Sequence, residues 1–327
     1  MDIWAIFLTN LLSPAILFFC LGIAAGFFKS DLEVPESISR YLAIYLMMAI
    51  GFKGGASLAA TESAADFLPL MLAGVAMSFL VPFAGYLLLS ATTRLDAPTR
   101  AAIAGHYGSV SIVTFVTATS FIQAAGLAYE GHVVAVLALM EAPAILSALF
   151  IAHRAAPETI TAGKQATPRL KREIFTNGAI LLLFGSFAIG WLTGKPGLDK
   201  MEGFLVTPFQ GILALFLLDM GLMVARQMHH MRAFSLPLVA FGIYMPILGA
   251  TTGLGLATLL GLDAGTGTLF MVLCASASYI AVPAAMRLAL PQAKAAIYVP
   301  MSLAVTFPFN IMLGLPAYLK AAQWALG

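Results

Sequence analysis

The 327 residues are 61% hydrophobic and only 10% charged, against roughly 45–50% apolar and about 25% charged in soluble globular chains, which excludes a soluble enzyme. The mean hydropathy of +0.94 is spread along the chain, leaving short polar loops and no room for a separate soluble domain. The net charge of +2, from 17 basic and 15 acidic residues, gives no reason to expect nucleic acid or an acidic partner.

Taken in order, an amphipathic lead-in from Asp2 to Leu12 precedes ten apolar stretches, each near the length of about 20 residues that a bilayer core requires. They run roughly 14–28, 37–59, 67–92, 99–124, 131–153, 175–193, 203–225, 234–261, 265–290 and 296–323. The lead-in has no basic start and no small-residue cleavage site, so no signal peptide is expected. One sizeable polar stretch, His153 to Glu173, divides the chain into a first half (1–155), a basic loop (156–174) and a second half (175–327). Cys20 and Cys274 lie in apolar runs far from any CxxC or Cys/His spacing and read as small core residues.

Ten spans alternate their connections between two sides. One side then holds 13 basic residues, among them Arg94, Arg100, Arg154, Arg169, Lys171, Arg172 and Lys294, and the other only Lys195, Lys200 and Lys320. By the positive-inside rule the first side is cytoplasmic and both termini are outside. A nine- or eleven-span chain would scatter these charges.

The two halves carry matched features at offsets of 164 to 170 residues: Ala15-Ile16-Leu17 with Ala179-Ile180-Leu181, Gly51 with Gly221, Gly108-Ser109-Val110-Ser111 with Ala275-Ser276-Ala277-Ser278, and Pro143 with Pro308. Five spans per copy is an odd number, so the second copy enters from the opposite side. This predicts an all-α membrane protein built as a five-plus-five inverted repeat, a plan of many secondary transporters, with the site near the midplane. The plainer reading is that small residues, as in Gly22-x-x-x-Gly26 and Gly249-x-x-x-Gly253, recur to permit close helix packing.

Spans four and nine place small and hydroxyl residues at mid-span, and Pro283 removes one backbone donor. Both are expected to break. Broken helices at membrane depth are tolerated where they line a protein-enclosed cavity, and two helix N-termini facing one point suit a small anion. The competing reading is tight packing, with serines bonding back to carbonyls one turn earlier. Lys53, Glu141 and Asp219 are ionisable residues inside spans, which by default points to function. Against that, Lys53 could snorkel to an interface, Glu141 could form a structural ion pair, and Asp219 could pair with Arg226. His106 reads as a proton carrier or as a packing residue. His229-His230 reads as a solvated loop pair without a third ligand. No GxSxG, HExxH or P-loop pattern occurs, so catalysis and ATP-driven transport lack a site and no cofactor is expected. An intramembrane enzyme would have to rest on Glu141 with His106; a channel or a receptor is the other competing class.

Several of these motifs resemble the sodium-dependent bicarbonate permease family first known from cyanobacterial carbon-concentrating systems. They are Leu12-Ser13-Pro14, Leu46-Met47 through Gly51-x-x-Gly54-Gly55, Tyr107-Gly108-x-Val110-Ser111, Met140-Glu141-Ala142-Pro143-Ala144, Met220-Gly221, and Ser276-x-Ser278 leading to Pro283 and Arg287. The resemblance implies broken crossing helices four and nine, a substrate-carrying core moving against a gate domain, a homotrimer in a bacterial inner (plasma) membrane, and a cytoplasmic regulatory protein as partner. It implies bicarbonate or a similar small anion held by Gly108, Ser109, Val110, Ser111, Ser276, Ala277 and Ser278. Ion coupling falls to Lys53, Glu141, Tyr279 and Thr114, with transported Na+ the one metal. Tyr279 stands where better-known members have aspartate, and Lys53 where they have threonine, so Lys53 is expected to supply the positive charge that sodium supplies elsewhere. Coupling would then be to H+ or absent. The alternative is a proton-coupled or uncoupled carrier of another small carboxylate, as in bile-acid-symporter-like folds.

Overall fold

A computed structural model describes residues 3–60, 67–155, 178–231 and 234–327. The 156–174 loop expected from the sequence lies wholly outside the described residues. Among the described residues every regular element is helical. The lead-in forms α1 (Ile3–Leu11), followed by α2 (Pro14–Phe27), α3 (Glu36–Ala59) and α4 (Leu68–Thr92). Span four is split into α5 (Ala97–Gly108) and α6 (Ile112–Ala124), and span five into α7 (Val133–Leu139) and α8 (Glu141–Ala155). The second half comprises α9 (Gly178–Met201), α10 (Phe209–Met231), α11 (Leu236–Leu259), α12 (Ala264–Ala275), α13 (Ala281–Ala289) and α14 (Ala295–Leu326).

Seven of these stretches are long and apolar enough to cross a membrane: α3, α4, α5–α6, α7–α8, Phe209–Met228 within α10, α11 and α14. Helices also occupy the three other expected stretches, in shorter or interrupted form. The 14 residues of α2 rise roughly 21 Å at about 1.5 Å each, less than a bilayer core of about 30 Å. In α9 the helix is divided at Gly194, and span nine is cut between α12 and α13. Large apolar side chains face outward along the shafts, Leu236 and Leu259 among them, as lipid-facing helices require.

Some boundaries depart from the sequence reading. Pro143 lacks the N–H that would bond the Leu139 carbonyl, and the regular helix is interrupted at Met140, whose carbonyl accepts a hydrogen bond from the Ser78 hydroxyl. That break in span five was not expected. The backbone of His229-His230 continues α10 rather than forming a loop. In α14, wide turns over Met301–Thr306 and Asn310–Gly314 interrupt the regular helix.

Helix packing falls into two groups. The most extensive contacts are α3 along α9 and α2 along α10, and these four helices form one group. The other contains α4, α5, α8, α11, α12 and α14, in which α4 packs on α5 and α8 while α11 packs on α12 and α14. Contacts between the groups are sparse, mainly α10 with the first half of α14 and both α3 and α9 with α7. The packing of α4 on α5 and α8 in the first half has its counterpart in that of α11 on α12 and α14 in the second. Glycine makes the first group possible: a Cβ at Gly22 would collide with the Leu218 carbonyl, one at Gly221 with that of Phe19, and one at Gly55 with that of Phe187. Gly51 and Gly221, paired on sequence, thus do equivalent work on opposite helix pairs, and Gly22-x-x-x-Gly26 is a packing motif.

Candidate functional site

The two interruptions are built alike. Asp96 caps α5 by accepting from the Thr99 N–H (2.9 Å), and Asp263 caps α12 by accepting from Gly265 and Thr266 (2.8 and 2.9 Å). Both helices end in a serine with extended backbone, Ser109 (φ −94, ψ 173) and Ser276 (φ −83, ψ 166). Matching prolines, Pro82 in α4 and Pro246 in α11, sit buried inside the helices that flank the breaks. This pair, absent from the sequence matches, was legible there as two prolines in corresponding spans.

The breaks touch. The Ser111 N–H donates to Ser276 Oγ (3.2 Å), and the Ser278 N–H donates to the His106 carbonyl (2.8 Å). Ser111 also caps α6, accepting from the Thr114 N–H (3.2 Å) and its hydroxyl (2.9 Å). Val282 N–H reaches Ser278 Oγ at 3.5 Å. Several donors expected to be free for an anion are therefore occupied by protein acceptors in this conformation. The first turn of any helix leaves further N–H groups without an intrahelical acceptor, here those of Ile112 and Val113.

Between the breaks lies a cavity of about 10 Å³ lined by Val110, Ser111, Ile112, Glu141, Ser278, Tyr279 and Ile280. That is room for about one water. Glu141, from the start of α8, is 3% exposed, and its Oε2 accepts from Ser109 Oγ at 3.0 Å. An ionised carboxylate at this depth with a single neutral donor is poorly compensated, so it either carries a proton or meets a cation.

The fold therefore gathers Ser109, Val110, Ser111, Thr114, Glu141, Ser276, Ser278 and Tyr279 around one point. Ala277 is buried within the second break, and Gly108 packs against Pro82 and the Ser78 carbonyl, outside the cavity lining. Tyr279 directs its hydroxyl to Met220 Sδ (3.9 Å) and lays its ring edge-on to Phe307. Lys53 does not join them: it lines a separate cavity, with Nζ 4.7 Å from the centre of the Phe209 ring. His106 is fully buried, with Nδ1 2.7 Å from the Ala102 carbonyl and its ring against Tyr298. Asp219 is buried with no ion pair to Arg226 among the described residues.

Two supporting residues escaped the sequence reading. Asn310 Nδ2 donates to the Ala275 carbonyl at the end of α12 (2.9 Å), and Thr306 joins the Tyr107 hydroxyl (2.6 Å) to the Gly242 carbonyl (2.8 Å). Ser302, Thr306 and Asn310 fall four residues apart, a buried polar stripe in an apolar span that was a usable signal. Among the described residues no cluster of three His, Cys, Asp or Glu side chains could hold a metal ion.

A family model described as the Na+-dependent bicarbonate transporter superfamily matches residues 14–323. No curated protein sequence matches the chain.

Proposed function

Because the chain belongs to the Na+-dependent bicarbonate transporter superfamily, and is therefore a multi-pass membrane transporter, we propose that it carries bicarbonate or a similar small anion by alternating access, coupled to sodium. The observation that carries this reading is the meeting of two interrupted helices at a buried carboxylate, through Ser111 N–H and Ser276 Oγ. When the breaks separate, the N–H groups of Ser111 and Ser278 and the hydroxyls of Ser109, Ser111, Ser276 and Ser278 become donors for an oxyanion. Glu141 and Thr114 then offer oxygens to a cation beside it.

Ten spans in a five-plus-five inverted repeat are supported by the paired helix contacts, the paired caps Asp96 and Asp263, and the paired prolines Pro82 and Pro246. The halves, 1–155 and 175–327, interleave, each contributing to both packing groups. Sparse contact between the groups supports an elevator-like motion, in which the group holding the breaks slides against the one formed by α2, α3, α9 and α10. The cavity of about 10 Å³ leaves no room for an anion of four non-hydrogen atoms, so binding there requires the breaks to separate. A homotrimer, a bacterial inner membrane with both termini outside, and a regulatory protein at the 156–174 loop complete the proposal; the basic loop serves equally as a topology signal.

One observation favours proton coupling as the second reading. Tyr279, where the resemblance implies a carboxylate, brings a phenol to the cavity and leaves Glu141 as the one acid among its lining residues. Counterflow of labelled small anions in proteoliposomes, across a grid of sodium concentration and pH, tests both. Saturable sodium-dependent bicarbonate exchange supports the first, pH-driven exchange the second, and unsaturable current would defeat carrier transport altogether.

A further inference from the structure

The largest departure from the expected site is Lys53, and its surroundings are specific. It faces a cavity of about 450 Å³, within the range of about 300–1,000 Å³ typical of small-molecule sites. The walls come from the end of α3 and the turn after Gly194 of α9 on one side, and on the other from the end of α6, which packs on α12 and α14 of the second group, and the residues after it to Gly131. Gly194 (φ 56, ψ −151) redirects the helix so that Lys195 and Asp199 join the lining. Lys53 is partly buried and rests on the Phe209 ring, which stabilises an ammonium on one face only. Neither Lys53 nor Lys195 forms an ion pair among the described residues, although Asp199 lines the same cavity. Lys53, half-buried, and Lys195, exposed, thus line one open-sided cavity with no ion pair among the described residues, alongside one exposed acid, Asp199.

We propose that this seam cavity is a second anion site, at which Lys53 and Lys195 bind a small oxyanion of the carboxylate or bicarbonate class, apart from the crossing of the two breaks. Its consequence for function rests on the transport reading: an anion touching both packing groups collects substrate at the seam and is released when the groups slide. Binding itself does not depend on that reading. Lys53 contributes charge where no hydroxyl could, and its ammonium, with one face on the Phe209 ring, keeps its other faces for an anion.

The test uses purified full-length protein in detergent and the line width of 13C-labelled bicarbonate in NMR titrations, with uptake by proteoliposomes beside it. Lys53→Gln and Lys195→Gln are each expected to raise the half-saturating bicarbonate concentration about tenfold, with Lys53→Arg close to the parent. In uptake, the same variants raise KM with kcat little changed. Parent-like broadening in Lys53→Gln with Lys195→Gln combined, or loss of all broadening in Ser278→Ala instead, would overturn the second site. Broadening that tracks the lysines in a protein without bicarbonate flux would uphold the seam site and tell against the transport reading alone.

Discussion

In the proposed function the carboxylate of Glu141 is the group on which cation coupling turns, and Glu141→Gln isolates its charge. The amide is nearly isosteric, and its oxygen still accepts from Ser109 Oγ, now 3.0 Å from the carboxylate. The cost to folding should then stay below about 1.5 kcal/mol, the worth of one neutral hydrogen bond. A sodium ion about 4 Å from the ionised carboxylate is held by about 4 kcal/mol at an effective dielectric near 20, and each 1.4 kcal/mol is about a decade of affinity. Removing the charge should therefore raise the half-saturating sodium concentration by two to three orders of magnitude. Sodium-dependent uptake of labelled bicarbonate into proteoliposomes at fixed pH measures this directly. A sodium dependence shifted by less than about threefold, in a variant that purifies and melts like the parent, would refute the assignment of Glu141 to the cation. Ser109→Ala provides the comparison, since it removes the hydroxyl that donates to Glu141 and keeps the charge.

Ser276→Ala removes the acceptor of the Ser111 N–H, a bond between the two breaks worth about 1 kcal/mol; kcat/KM for uptake should fall severalfold while the melting temperature moves little. Gly55→Ala places a methyl against the Phe187 carbonyl, and the strain of about 1–3 kcal/mol should lower the melting temperature in detergent. The Asp96–Lys294 pair (3.2 Å) gives a pH test. Burial pushes the Asp96 carboxyl up, but the hydrogen bonds from Thr99 and the Lys294 charge outweigh it and hold it below the usual carboxylate range. Its contribution is thus present above the unfolded value of about 4 and is lost as pH falls through the lower folded value. Acid melting curves should show this loss in the parent and lack it in Asp96→Asn; identical acid profiles would count against it.

How much was legible follows from which signals are local. The breaks at Gly108-Ser109-Val110-Ser111 and Ala275-Ser276-Ala277-Ser278 were readable because small and hydroxyl residues stand out in a run of large apolar ones. The break at Met140 was less so, since it needs both Pro143 and the Ser78 hydroxyl from another helix. Lys53 was read as part of the site because it is an ionisable residue inside a span, at a position where the resemblance has threonine. Helix phase decides otherwise: Gly51 and Gly55 turn to α9, Gly54 to Val134 and the Gly131 carbonyl, and Lys53 is left facing the seam.

The sequence by itself determined the solvent of this protein, since 10% charge and apolar runs of bilayer length permit little but membrane helices. It also determined where those helices weaken, because Gly, Ser and Pro act on their own backbone. The tertiary structure decided which weak points meet, which hydroxyl satisfies which N–H, and that Glu141 and Lys53 serve different cavities. Those outcomes depend on contacts between different helices, 165 positions apart for Ser111 and Ser276 and 35 for Asn310 and Ala275, where helix rotation and crossing set the partner and local pattern does not.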